Sequence, residues 1–273
     1  LSTVQRIEMS AGVRNITYDW EVQQDVIDPI TGQVLDRQKQ DLEAPDALNL
    51  ADASLALVYD NSFFGIASPI LGQRYRIEVA PTFGSLNFVN GIFDFRKYVM
   101  PKRPFTLAGR LMSYGRYGRD AEDLRLQPIS IGYPGLVRGY DINSFSVNEC
   151  GFGFCDAYEQ LLGSKMIVGN LELRFPPLGV FGIGDGFFGF LPLEMAFFVD
   201  GGIAWGSDNF RWETPDFNED AFFLGGDRKP VWSTGVSFRF NMFNYFILGV
   251  DWVKPFQRPD KGWYLQFNMV PGF

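Results

Sequence analysis

Along most of this chain apolar side chains recur at every second position, the period of a strand with one dry face. In 231–240, Trp232, Thr234, Val236, Phe238 and Phe240 share one face, while Ser233, Gly235, Ser237 and Arg239 share the other. In 245–254, Phe246, Leu248, Val250 and Trp252 oppose Gly249 and Asp251. In 263–273, Trp263, Leu265, Phe267, Met269 and Phe273 oppose Tyr264, Gln266 and Asn268. Upstream, Leu55, Leu57 and Tyr59 line one face, and Tyr75, Ile77 and Val79 oppose Arg74, Arg76 and Glu78. Phe93 and Phe95 likewise oppose Asp94 and Arg96, and Leu107 and Leu111 oppose Arg110. The pattern predicts ten strands. The first, about 4–24, switches its apolar phase from Ile7, Met9, Ala11 and Val13 to Ile16, Tyr18, Trp20 and Val22. Such a slip needs a bulge or a change of surroundings, so this strand is expected to rise into an exterior hairpin.

A face of aliphatic and aromatic residues set against small, polar or charged ones fits strands with lipid outside and a wet or filled lumen inside. A soluble sandwich would alternate as well. The membrane is favoured by 16% aromatics, 28 of them Phe, opposite charges such as Arg96, Arg110, Glu172 and Asp200. No apolar run approaches the roughly 18 residues of a spanning helix; Gly182 to Gly202, the nearest, is broken by Asp185, Pro192, Glu194 and Asp200. The expected fold is all-β, an antiparallel transmembrane β-barrel in which residues 1–273 form a single domain. Met100–Pro104, Pro176-Pro177 and Asn241–Asn244 are short connections at one end; 25–52, 118–163 and 206–230 are long loops at the other. Outer-membrane barrels keep short turns in the periplasm and long loops outside, so both ends of the chain are expected on the periplasmic side. Phe63–Gly72 and 176–190 are longer than this scheme requires. Leu1-Ser2-Thr3 shows neither an initiator Met nor a leader, and the chain is read as part of a longer polypeptide.

Charge and composition narrow the function. With 32 Asp and Glu against 24 Lys and Arg, the chain carries −8, which speaks against a nucleic-acid partner. It has no histidine, which removes Ser-His-Asp and Cys-His catalysis and His-ligated zinc. No cofactor and no metal are expected. Asp25-Val-Ile-Asp28 lacks the spacing of a calcium loop, and the loop acids from Asp208 to Asp227 read as solvated. No helical pattern follows Gly179-x-x-Gly182-x-Gly184, so it is not a nucleotide fingerprint. Cys150 and Cys155 flank Gly-Phe-Gly-Phe in a long loop, where an exterior setting favours a disulfide.

The most informative stretch is Gly135-Leu136-Val137-Arg138-Gly139-Tyr140, inside the long loop 118–163. Two acids, Glu172 and Asp200, sit mid-strand, and parity turns both inward with Asn170, Arg174, Phe198 and Ala204. A loop arginine and two inward acids make a lock that can hold the loop in the lumen. The plainer alternative is a solvated arginine above a polar pore. Neighbouring carboxylates also suit glycoside hydrolysis, but an arginine partner favours a structural role, and no enzyme activity is expected.

The run Gly132-Tyr133-Pro134-Gly135-Leu136-Val137-Arg138-Gly139-Tyr140 resembles the loop motif of the BamA/TamA/FhaC superfamily of outer-membrane assembly and translocation barrels, also called the bacterial surface antigen family. Gly169–Pro176, then Phe197–Gly202, then a closing strand ending in Phe follow in that family's order. The resemblance implies that Arg138, with Gly139 and Tyr140, reaches into the lumen toward Glu172 and Asp200. It implies that Trp263, Leu265, Phe267 and Phe273 form the C-terminal insertion signal. Tyr59–Gly65, Pro69–Arg76 and Gly109-Arg110 with Tyr114–Gly118 resemble the branch whose barrel follows a Tol-like β-propeller. The ten strands would then be the last of a sixteen-stranded barrel. The implied setting is the bacterial outer membrane. The implied partners are its lipid, including the lipopolysaccharide leaflet, a periplasmic propeller or other subunits, and the outer-membrane assembly machinery. The implied function is anchoring a periplasmic domain, or moving protein or lipid to or across that membrane. A passive porin-like channel and a non-transporting anchor within a larger complex are the alternatives.

Overall fold

The structure, a computed structural model, describes residues 3–27, 33–44, 46–65, 67–146, 149, 156–180, 192–206, 228–242, 245–258 and 260–271. Its strands are β1 (Gln5–Ile16), β2 (Trp20–Ile27), β3 (Val34–Leu42), β4 (Leu48–Asp60), β5 (Phe63–Phe64), β6 (Pro69–Gly84), β7 (Phe88–Lys102) and β8 (Phe105–Tyr117). They continue with β9 (Ile129–Ser130), β10 (Leu162–Gly163), β11 (Lys165–Phe175), β12 (Leu193–Trp205), β13 (Val231–Met242), β14 (Phe246–Pro255) and β15 (Tyr264–Pro271). Ten of them form one antiparallel sheet in the order β1-β4-β6-β7-β8-β11-β12-β13-β14-β15, with β5 added beside β6. The hairpin β2/β3 and the short antiparallel pair β9/β10 form two further sheets.

The alternation read in the sequence is the alternation of two faces. Met9, Val13, Phe267 and Met269 lie on the outer face with exposures of 80%, 90%, 67% and 69%, as side chains meant for lipid would. The inner residues Val168, Asp200, Ala204 and Val253 are fully buried. What covers them is the chain between β8 and β11. Its Ile131, Val137, Tyr140 and Leu161 pack on Met166, Val168, Ala204 and Val231 of the sheet. Nearer its start, Ala121 and Leu126 pack with Leu48, Leu50, Leu86 and Phe88 beside Ile16 and Tyr18. The loop thus touches strands far apart in the sheet order, which requires the sheet to curl round it.

Register then sets the inner rows. Arg110, Asn170, Asp200 and Ser233 stand side by side across β8, β11, β12 and β13, and Ala108, Glu172, Phe198 and Gly235 form the next row.

Two segments differ from the alternation reading. The first strand stops at Ile16, and the chain resumes at Trp20 in a separate hairpin. The phase switch is therefore a break between two strands rather than a slip within one. The hairpin's charged face is tied by Arg37–Asp25 and Lys39–Glu21 pairs. The long connection Phe63–Gly72 is also explained: β5 turns back on β6, and Ala67 and Ser68 between them are buried. In the other long connection, Pro177–Val180 is a short helix, and 181–191 lies outside the described residues.

A lipid-facing outer wall should reject charge. Leu171, outward on β11 and 52% exposed, is expected to cost about 2–4 kcal/mol when changed to Arg, whereas Leu171→Phe should be near neutral. Reversible unfolding from lipid vesicles measures both.

Candidate functional site

Arg138 is delivered to the inner wall by a loop whose backbone only glycine can complete. Gly139 has φ +89°, and a Cβ there would stand 2.9 Å from Val253 Cγ2 and 3.4 Å from Pro255 Cβ. On the wall, Gly202 gives room in the same way, since a Cβ on it would come within 2.9 Å of Val137 Cγ2. With both contacts close, the guanidinium reaches the acids. Arg138 Nε donates to Asp200 Oδ2 at 2.6 Å, Nη2 donates to Oδ1 at 2.8 Å, and the backbone N–H donates to Oδ2 at 3.2 Å. Nη2 is also 2.8 Å from Glu172 Oε1. The Arg138 side chain is 7% exposed and that of Asp200 0%. The guanidinium lies over the Phe198 ring, 3.5 Å from its centroid. Burial alone would pull the Arg138 pKa down, but Glu172 and Asp200 more than offset this and raise it. The arginine is charged at every accessible pH.

Further contacts fasten the same stretch. Asn170 Nδ2 donates to the Leu136 carbonyl at 2.7 Å and to Asp200 Oδ1 at 2.9 Å. Arg110 donates to the Gly135 carbonyl at 2.7 Å, and the Gly139 N–H donates to Gln266 Oε1 at 2.8 Å. The Tyr140 hydroxyl is 2.9 Å from the Trp232 carbonyl and accepts from the Gln257 N–H at 3.0 Å. Burial pushes that phenol up to about 12, so it remains protonated.

The structure brings Arg138, Gly139, Tyr140, Glu172 and Asp200 into one cluster. Trp263, Leu265 and Phe267 are on the outer wall, 49%, 57% and 67% exposed, with the Trp263 ring centroid 4.7 Å from that of Trp252 and the two rings tilted by 36°. Cys150, Cys155 and Phe273 lie outside the described residues, as do the loop acids from Asp208 to Asp227 and Asp28.

Sequence reasoning missed the partners that make Glu172 a hub. Besides Arg138, this carboxylate accepts from Arg174 Nε at 2.6 Å and from Arg239 Nη2 at 2.6 Å. Arg239 also donates to Glu194 Oε1 at 3.1 Å. Arg174 Nη1 reaches Ser68 Oγ at 3.1 Å and the Pro69 carbonyl at 3.0 Å, and the Ser68 hydroxyl lies 2.6 Å from Glu194 Oε2. The segment between β5 and β6 therefore meets the same network from the opposite end of the sheet. Parity from Asp200 and Ser237 already turns Glu194 and Arg239 inward, so both were within reach of the pattern. Ser68 had no signal. Between the two inserted segments lies a cavity of about 320 Å³, bordered by Arg96, Tyr98, Arg110, Arg174, Arg239 and Asp251.

A second buried arginine was missed as well. Arg258, just beyond β14 and fully buried, donates to Glu149 Oε2 at 2.8 Å, to the Gly139 carbonyl at 2.7 Å and to the Ser144 carbonyl at 2.9 Å. It stacks on Phe145 at 3.8 Å. It clasps the outgoing half of the loop.

These inner contacts sit on a chain whose residues 8–273 match the Omp85 superfamily domain. The chain belongs to the Omp85 superfamily. Its fold is similar to that in "The crystal structure of BamA from Haemophilus ducreyi lacking POTRA domains 1-3", with a TM-score of 0.55 and 16% identity. The match covers 98% of this chain and 54% of that one, so the chain spans about half the length of that solved relative. No curated protein matches it. Membership of the Omp85 superfamily, with a BamA-like antiparallel barrel fold, indicates the outer membrane and the assembly and translocation class of barrels.

Within this Omp85 barrel the buried pair is expected to be strongly coupled. Asp200→Asn and Arg138→Ala should each cost about 3–5 kcal/mol by stranding a charge, and the double variant should cost less than their sum. Denaturant unfolding of the four proteins checks this.

The Arg258 clasp has its own pH signature. Burial raises the Glu149 pKa, but hydrogen bonds from Arg258 and Ser146 outweigh it and bring it down to about 2 from 4.5. A lowered folded pKa contributes stability above the unfolded value, lost as pH falls toward the folded one. Residues 139–146 should therefore stay protected from hydrogen exchange at pH 5 and open progressively from about 4.5 to 2, and Glu149→Gln should remove that step.

Proposed function

We propose that this chain is the barrel of an Omp85-type protein whose loop 118–163 acts as a plug, held in the lumen by Arg138 and released when protein or lipid is moved to or across the outer membrane. The observation that carries this reading is the buried Arg138 guanidinium shared between Glu172 and Asp200. A passive pore has no use for a loop fastened at so many inner-wall sites. The lock, the plug and the placement of long loops outside with both chain ends in the periplasm form one reading. It is supported by the charge network and by long connections gathered at one end of the sheet. Among the described residues β1 and β15 stand at the two ends of the strand order, and because an unpaired edge in lipid leaves backbone donors and acceptors unsatisfied this supports further strands closing the barrel. The sequence likeness to the propeller-bearing branch supports a periplasmic domain carried by the barrel, and outer-membrane assembly machinery as its partner.

The test is single-channel conductance of the whole native polypeptide in planar bilayers. Wild type should conduct little. Arg138→Ala should flicker, because the β5–β6 segment still closes the other end. Combining Arg138→Ala with replacement of residues 66–68 by a minimal turn should give large, steady openings. Large steady pores in the wild type would overturn the plug, and unchanged low conductance in the combined variant would overturn the lock.

A further inference from the structure

Along the outward positions of the ten sheet strands the described side chains are apolar or uncharged except for four lysines, Lys97, Lys165, Lys254 and, at the last position of β7 opposite Phe105, Lys102. Lys165 has Glu122 at 3.8 Å, and Lys254 donates to the Lys261 carbonyl at 2.8 Å. Lys97 is exposed, and its ammonium meets only the Gln73 side-chain oxygen at 3.1 Å, with no carboxylate paired to it among the described residues. An ammonium facing lipid without a counter-charge is costly unless its stem carries it to the headgroup level, where a phosphate can meet it.

Three features place that level here. First, Lys97 and Gln73 are cross-strand partners one step toward the short-turn end from Tyr59 and Tyr75, whose rings stack at 5.1 Å on the outer face. Tyrosines of that kind mark the interface between hydrocarbon and headgroups. Second, the end of β7 and the turn beyond it add exposed Lys102 and Arg103, so an acidic chain is locally basic at this edge. Third, Lys97 pairs in register with Gly109, where nothing lies within 4 Å of the position a Cβ would take. Flanked by Leu107 and Leu111, this leaves a furrow in the wall next to the ammonium.

We propose that this surface binds an anionic glycerophospholipid, its phosphate held by Lys97 and Gln73 with Lys102 and Arg103 behind, and one acyl chain lying along the furrow over Gly109. The inference rests on the outer wall facing lipid. It is independent of the lock and of any cargo.

Native mass spectrometry of the whole native polypeptide, released from vesicles of mixed phosphatidylglycerol, phosphatidylcholine and lipid A, tests it. Phosphatidylglycerol should be retained over phosphatidylcholine in the wild type. Lys97→Gln should lower that preference about five-fold, and adding Lys102→Gln and Arg103→Gln should abolish it. Gly109→Leu should weaken retention of both phospholipids while leaving their ratio unchanged. An unchanged ratio in Lys97→Gln, or preferential retention of lipid A, would overturn the site. A chain that never partitions into the vesicles would overturn the lipid-facing wall itself, an outcome distinct from insertion without lipid preference.

Discussion

A guanidinium cannot shed its charge, so wherever Arg138 is buried the surroundings must supply compensating charge and hydrogen bonds. That requirement organises the inside of this molecule. Two carboxylates must project from neighbouring strands, in adjacent rows of the register. The loop must approach the wall closely enough to reach them. Gly139 and Gly202 meet the second demand, and the pairing of β11 with β12 meets the first. Phe198, between the acids, supplies a ring face for the flat side of the cation.

Around that centre the inner wall is a graded surface. Apolar loop residues dock on Met166, Val168, Ala204 and Val231, in a dry layer. Beside it the wall turns ionic, with arginines and acids neutralising one another across strands. The outer wall is nearly uniform and apolar. A sheet with such opposed faces is stable only if each has its own solvent, lipid on one side and loop plus water on the other.

Much of this was legible in the sequence. Period-two alternation located the strands and their faces, because side chains on a strand have no choice but to alternate. Parity carried Glu172 and Asp200 to the inner face, and the glycine-rich run around Arg138 marked a loop able to approach it. The same parity held Glu194 and Arg239, which went unassigned because alternation gives the face of a residue but not the register that sets Glu194 opposite Arg239 on the neighbouring strand. Arg258 and Ser68 were illegible for a different reason. Both belong to connections, where no period constrains the side chain and burial depends on how the whole sheet curls. The break at 17–19 was misread as one long strand because a phase switch looks alike whether a strand slips or ends.

Glu172 and Asp200 are not equivalent neighbours of Arg138. Were the loop to withdraw, Glu172 would keep Arg174 and Arg239, whereas Asp200 would keep, among the described residues, only the Asn170 amide. The vacated socket would hold one well-satisfied acid and one starved one. Its field would point at a single carboxylate, drawing a returning cation back to the same place. Such asymmetry gives the loop an address as well as an anchor, so that each excursion ends in the docking from which it began.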